Sequence, residues 1–221
     1  MLLQILTYTH HLTTMLFGIF LSAFFLGVKQ NKKNVCILLG GGAVSGLFFL
    51  ICNTVFGSLF TEAVYPIFVH LPLFLLLVFY YRFRWLPSII SIMTAYLCCQ
   101  FSNWAGIFAL SLSGLDWIYY LVRIIVTVAV FAFLSRYLCQ TTALLFAKSD
   151  RELYILGAMP FVYYVFDYST TKFSMLLYSG NKVVVEFLAF AMCISYVIFL
   201  FVYFQEYELK NRAEQYGQLT N

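Results

Sequence analysis

Few side chains in this 221-residue chain are of a type and spacing that does chemistry. The histidines are His10, His11 and His70. None stands four residues from another, so the two-imidazole helix face of a His-Glu-x-x-His zinc site is absent. They read as packed or interfacial histidines. Gly40-Gly41-Gly42 lacks the Gly-Lys-Ser/Thr that completes a phosphate loop, and it lies inside an apolar run. Gly42 and Gly46 instead have the spacing of a close helix–helix contact. There is no Gly-x-Ser-x-Gly, and no carboxylates are paired at catalytic spacing. Cys36, Cys52, Cys98, Cys99, Cys139 and Cys193 form no Cys-x-x-Cys pair and read as small packing residues. The chain is therefore expected to hold no catalytic residue and no metal site.

What remains is a set of polar side chains inside apolar runs: Asn103, Arg123, Tyr164, Asp167, Tyr168, Thr171, Lys172 and Glu186. An ionisable group at the centre of a bilayer costs about 2.5–3.5 kcal/mol on insertion scales, so such groups are expected to be paired or to line a cavity. Two cations and two anions at similar depth could neutralise one another. Pro160, Tyr164, Asp167, Tyr168, Thr171, Met175 and Tyr178 share one face at helical spacing, polar where lipid would favour Leu and Ile. Two readings follow: an outward-facing ligand pocket, or a buried polar network that holds helices in register. Lys172 and Glu186 could also snorkel to the interface. If Asp167 lines a signalling pocket, Asp167→Asn weakens the response.

The elements that must position these groups follow from composition. Hydrophobic residues make up 63% of the chain and charged residues 10%, against roughly 45–50% and about 25% in soluble domains. Soluble enzymes, disordered tails and nucleic-acid-binding domains are excluded. Apolar runs cover Thr9–Val28, Val35–Gly57, Val64–Tyr80, Pro87–Leu112, Trp117–Leu134, Leu153–Tyr178 and Val183–Phe204. At about 20 residues per span, the expected fold is an all-α integral membrane protein of about seven transmembrane helices, with six as the alternative. The first 28 residues contain no Lys or Arg, so the first run is expected to stay as a span and not to be cleaved as a signal peptide. No internal repeat is visible.

The charges orient these spans. Lys29, Lys32, Lys33, Arg82, Arg84, Arg136, Lys148, Arg151, Lys210 and Arg212 fall on one side, ten of the 13 basic residues. The positive-inside rule then places the N-terminus outside and the C-terminus in the cytoplasm. Residues 1–204 form the polytopic domain. Residues 205–221 are polar and helix-prone, and Val202, Glu206, Leu209, Ala213, Tyr216 and Thr220 trace a weak heptad stripe that could begin a cytoplasmic coiled coil. Trp85 and Trp117 lie at expected interfaces, whereas Trp104 is expected to pack inside.

The stretch Met159-Pro160-Phe161-Val162-Tyr163-Tyr164-Val165-Phe166-Asp167-Tyr168-Ser169-Thr170-Thr171 resembles the penultimate membrane helix of clostridial sensor histidine kinases of the GHKL type, relatives of peptide-pheromone receptor kinases. Glu186-Phe187, Tyr196-x-x-Phe199 and Tyr203-x-x-Glu206-Tyr207-Glu208-x-Lys210 extend the likeness, which covers mainly residues 153–215. The resemblance implies a membrane sensor that works as a homodimer, whose last helix feeds a cytoplasmic kinase domain. It implies a bacterial cytoplasmic (inner) membrane location, an extracellular ligand that is a peptide or a small hydrophobic molecule, and a response regulator downstream. ATP and magnesium belong to the kinase domain, and no residue here matches its motifs. A small transporter or permease, and a membrane scaffold, are the competing classes. No nucleic acid is expected as partner.

Overall fold

In lipid a backbone must satisfy its own hydrogen bonds, which makes the helix the default for each apolar run. The computed structural model describes residues 2–57, 60–61, 64–167, 169 and 182–219. Among them every regular element is a helix and no strand occurs. In chain order these are α1 (Leu2–Phe25), α2 (Lys32–Phe56), α3 (Pro66–Tyr80), α4 (Trp85–Cys98), α5 (Gln100–Ser113), α6 (Asp116–Tyr137), α7 (Cys139–Phe146), α8 (Asp150–Asp167) and α9 (Lys182–Leu219).

Four stretches are long and apolar enough to cross a membrane: Lys32–Phe56, Trp85–Ser113, Asp116–Tyr137 and Phe187–Lys210. The described parts of the other expected runs also form helices, but each departs from a simple apolar rod. The polar first half of α1 carries threonines whose hydroxyls bond back to carbonyls four residues earlier, as Thr7 does to Leu3 at 2.9 Å and Thr9 to Ile5 at 2.8 Å. This helix begins at Leu2, ahead of the expected start at Thr9. In α3 the backbone winds as π, α and π turns in succession. The 18 residues of α8 include Asp150, Arg151, Glu152 and Asp167. The expected polar connection after the fifth run contains the short helix α7.

Local signals set the ends. Asn31 caps α2 by accepting the Asn34 N–H on its side chain at 2.8 Å. Gly114 ends α5 in the left-handed region (φ 67°), where the turn before Asp116 was expected. The other break, between α4 and α5 at Cys99, keeps helical dihedrals and leaves Trp85–Ser113 as one near-continuous rod.

The centre of the bundle is α4. Leu86, Ile90, Ile92, Ala95, Leu97 and Cys98 are buried there, with Ser88, Ser91 and Thr94. The small polar residues let backbones approach closely, and Ser91 donates to the Ser22 carbonyl of α1 at 2.5 Å. On another side, Gly157 of α8 abuts Ile90. A third neighbour, α9, sends in Tyr196, whose hydroxyl donates to the Leu156 carbonyl at 2.9 Å and lies 3.5 Å from Thr94 Oγ1. The expected Gly42/Gly46 contact joins α2 to α1: Gly42 faces Ile19 and Leu16, and Gly46 faces Met15. Trp104, expected to pack inside, is half-buried, stacked on Phe190 with ring centroids 4.7 Å apart and on the exposed Phe108 at 5.6 Å. All six cysteines are free; Cys52, Cys98, Cys139 and Cys193 are buried, and Cys36 is exposed.

Away from these contacts the surface is apolar. Leu39, Val44, Leu47, Ile51 and Val55 are exposed on α2, Leu121, Ile125 and Val128 on α6, and Ile198 and Val202 on α9. Continuous apolar faces of this kind are natural against lipid and untenable in water. They mark a membrane protein.

Basic connections gather at one end of the bundle. The Tyr81 hydroxyl donates to Asn34 at 3.4 Å. Arg84 donates to Asp150 at 2.8 Å and to the Lys148 carbonyl at 2.6 Å. Lys148 in turn reaches α9, with Nζ 3.7 Å from the Tyr207 ring centroid and 4.9 Å from that of Tyr203. Lys29–Lys33, Arg82–Arg84, Lys148–Arg151 and the start of the polar tail are therefore neighbours.

Candidate functional site: a polar seam through the bundle

Tyr164 and Asp167, which the sequence places one turn apart on a polar face, both find partners on other helices. Tyr164 Oη lies 2.8 Å from Nδ1 of His70 on α3, 94 residues away in sequence. Asp167 Oδ2 accepts a short hydrogen bond from the Tyr96 hydroxyl of α4. The four rings interlock. His70 meets Tyr96 edge-on at 5.7 Å and Tyr65 edge-on at 5.2 Å, and Tyr96 meets Tyr164 edge-on at 5.1 Å. Edge-to-face packing of this kind fixes ring orientation as well as burying area.

The winding of α3 delivers His70. Proline at 72 has no N–H, and its ring crowds the carbonyl four residues before it. The turn Pro66–His70 widens, and the Leu71 N–H bonds to the Pro66 carbonyl, five residues back. His70 is the last residue of that wide turn.

Arg123 occupies a second cluster. Its guanidinium donates to Tyr119 Oη and lies over the Tyr119 ring, with Cζ 5.1 Å from the centroid. Its stem runs across Gly106 of α5: a Cβ there would lie 2.8 Å from Arg123 Cδ and 3.1 Å from Tyr119 Cδ2. Gly106→Ala is expected to push Arg123 into another rotamer at about 1–3 kcal/mol, seen as a lower thermal midpoint in detergent that an added Arg123→Ala change restores. On the far side is the buried imidazole of His10, in electrostatic reach of Arg123 and packed at 5.9 Å on Tyr120. Asn103 Nδ2 donates to Gln100 Oε1 at 3.3 Å, one turn before Gly106 on the same helix. Cys99, at the break between α4 and α5, donates its thiol to the Ala95 carbonyl at 3.4 Å.

Of the four charges expected to neutralise one another, Arg123 and Asp167 are each bonded to a tyrosine among the described residues. Tyr168, Thr171 and Lys172 lie outside the described residues, as do Met175, Tyr178 and the side chain of Glu186. Reading the sequence missed His70 and Tyr96. The available signal for His70 was its place between Pro66 and Pro72; Tyr96 gave none beyond its residue type.

No known protein family, curated protein or solved structure matches this chain. The site must be judged on its own chemistry. Among the described residues no group of His, Cys, Asp and Glu could hold a metal ion. The seam offers a carboxylate, an imidazole and phenols in one hydrogen-bonded chain, able to bind a polar ligand or to hold helices in register, and it presents no activated nucleophile. An apolar groove of about 270 Å³, lined by Phe101, Ala129, Val130, Phe133, Leu134 and Val197, lies apart from it on the lipid-facing side of α5, α6 and α9.

Proposed function

We propose that this chain is the signal-sensing membrane module of a two-component histidine kinase, with about seven spans, its N-terminus outside and its C-terminus in the cytoplasm. The observation that carries the reading is α9, one helix of 38 residues that begins as an apolar span and continues into a polar tail. At about 1.5 Å per residue it is a rod of roughly 57 Å, long enough to transmit a displacement out of the bilayer. Lys148 clasps this rod at Tyr203 and Tyr207, and the same loop holds Arg84 between α3 and α4. The α3 and α4 helices carry His70 and Tyr96. A ligand that favours one arrangement of the seam thereby has a mechanical route to the tail, provided it binds the two arrangements with different affinity.

On this reading the protein sits in a bacterial cytoplasmic membrane as a homodimer and takes an extracellular peptide or small hydrophobic ligand. It passes the signal to a response regulator through a kinase domain, and ATP and magnesium enter only with that domain. The gathering of the basic connections at one end favours the orientation. Sequencing the reading frame past Asn221 tests it. A phospho-accepting histidine segment followed by an ATP-binding domain is expected; a stop codon there sinks the kinase reading. Ligand-dependent solute flux in proteoliposomes would then favour the transporter.

The clasp makes its own prediction. Lys148→Met removes an ammonium from two aromatic faces, worth ~0.5–2 kcal/mol. Backbone amide exchange over 203–210 is expected to rise about 2- to 30-fold, the same energy expressed as an opening constant. Lys148 also pairs with Glu152 at 3.4 Å. Desolvation pulls the Glu152 carboxyl up, but the Lys148 ammonium and Ser149 outweigh it and hold it below the usual carboxylate range. A carboxyl lowered on folding stabilises above its unfolded value and loses that contribution as pH falls through the folded value. Protection of amides 203–210, taken relative to the intrinsic exchange rate at each pH, should therefore fall on acidification below the carboxylate range, and Glu152→Gln should abolish that fall.

A further inference from the structure

Arg123 is the least compensated charge in the described part of the bundle. It lies seven residues into an apolar span, Asp116–Tyr137, and among the described residues no carboxylate stands within ion-pair distance of it. Its Nε is buried without a hydrogen-bond partner, and so is Oγ1 of Thr127, one turn deeper on the same face of α6. Thr127 is 3% exposed. The guanidinium and the Thr127 hydroxyl are one turn apart on this face with hydrogen-bonding capacity left unused, and His10, held by Thr14 at 3.3 Å and packed on Tyr120, lies on the neighbouring α1. The Tyr119 hydroxyl accepts from one guanidinium nitrogen and leaves the others free to donate. A guanidinium inside a span, with donors to spare and a hydroxyl as its one acceptor among the described residues, suits an anion.

We propose that Arg123, with Thr127 and His10, binds an oxyanion at the α1–α5–α6 junction, a phosphate-type group supplied by an anionic lipid headgroup or by a free ion. The planar guanidinium fork suits two oxygens of one such group, and Gly106 keeps the passage of its stem clear of a Cβ. The inference stands apart from the kinase reading, since a sensor and a transporter alike could use such a site. Failure of either leaves the other standing.

The test uses the whole chain, purified in a non-ionic detergent and titrated with phosphatidylglycerol, with inorganic phosphate and with uncharged diacylglycerol. Thermal midpoint and native mass spectrometry are read together. Phosphatidylglycerol should raise the midpoint and remain bound, and diacylglycerol should do neither. Arg123→Gln should weaken lipid affinity about tenfold or more, the loss expected for one charge-assisted pair. Thr127→Val gives a second readout that does not depend on the arginine variant folding: it should raise the midpoint of the ligand-free protein by removing an orphaned hydroxyl, and lower the gain from lipid. If inorganic phosphate gives the same gain as the lipid, the site takes the free ion and the oxyanion assignment holds. If neither anion shifts the wild type, or if Arg123→Gln and Thr127→Val both respond as the wild type does, the proposal is wrong. It is equally wrong if the wild type responds to no anion but Glu186→Gln does, because the guanidinium is then neutralised within the chain.

Discussion

Gly157→Ala is expected to destabilise the bundle by about 1–3 kcal/mol, the usual penalty for forcing an extra methyl into a packed core. A Cβ at this position would lie 2.6 Å from Ile90 Cγ1 and 2.7 Å from Ile90 Cδ1. Those atoms belong to a β-branched side chain, 4% exposed, on the most enclosed helix, and a branched side chain in a helix has essentially one χ1 rotamer to use. The strain cannot be relieved by swinging a flexible end aside, so α4 and α8 must separate. Moving them apart also pulls at the Tyr96–Asp167 bond, which spans the same pair of helices. Thermal denaturation in detergent reads the loss. Ile90→Ala alone should also destabilise, by about 2–5 kcal/mol. The two changes together should lose less than their sum, because each supplies what the other lacks. Strict additivity would mean that the two helices do not meet in this way.

The second large effect concerns the seam. Tyr96→Phe removes the donor to a carboxylate and should cost about 1.5–3 kcal/mol, the range for hydrogen bonds to charged groups. Tyr164→Phe removes a neutral bond to His70 and should cost about 0.5–1.5 kcal/mol. Asp167→Asn keeps an oxygen that can accept from Tyr96 and should cost less than Tyr96→Phe, while removing the charge. Tyr96→Phe is expected to have the lowest midpoint of the three, below both Tyr164→Phe and Asp167→Asn. If the seam is the signalling site, Asp167→Asn combines near-normal folding with a weakened dose response. Normal folding with a normal dose response would reduce the seam to a structural network.

The face of α8 was legible because a charge inside an apolar run is conspicuous and helical spacing fixes its neighbours. Tyr164 and Asp167 were found in this way. Their partners were not, because His70 and Tyr96 are brought near by tertiary packing across 94 and 71 residues, and nothing local in the sequence encodes that meeting. The same limit applies to the four charges, Arg123, Asp167, Lys172 and Glu186, expected to neutralise one another. Opposite charges at similar depth are suggestive, but depth says nothing about position around the bundle, and Arg123 and Asp167 lie on helices that face different neighbours. Helix ends were legible where a side chain or a glycine does the capping, as at Asn31 and Gly114. They were not legible at α1, where the threonine hydroxyls satisfy their own backbone and let a polar stretch remain helical. The short helix α7 was hidden because its sequence, Cys139–Phe146, is too brief for periodicity to emerge.

The winding of α3 bears on the lipid around it. Its three five-residue segments would span roughly 22 Å even at full α-helical rise, against about 30 Å of hydrocarbon. If α3 crosses the membrane, the acyl layer beside it is thicker than the helix. The mismatch is met by local thinning of the bilayer, or by flanking side chains such as Tyr80 and Arg82 reaching outward to the headgroups. A thinner acyl layer would then fit the wound α3 that carries His70 with less mismatch than a layer of ordinary thickness.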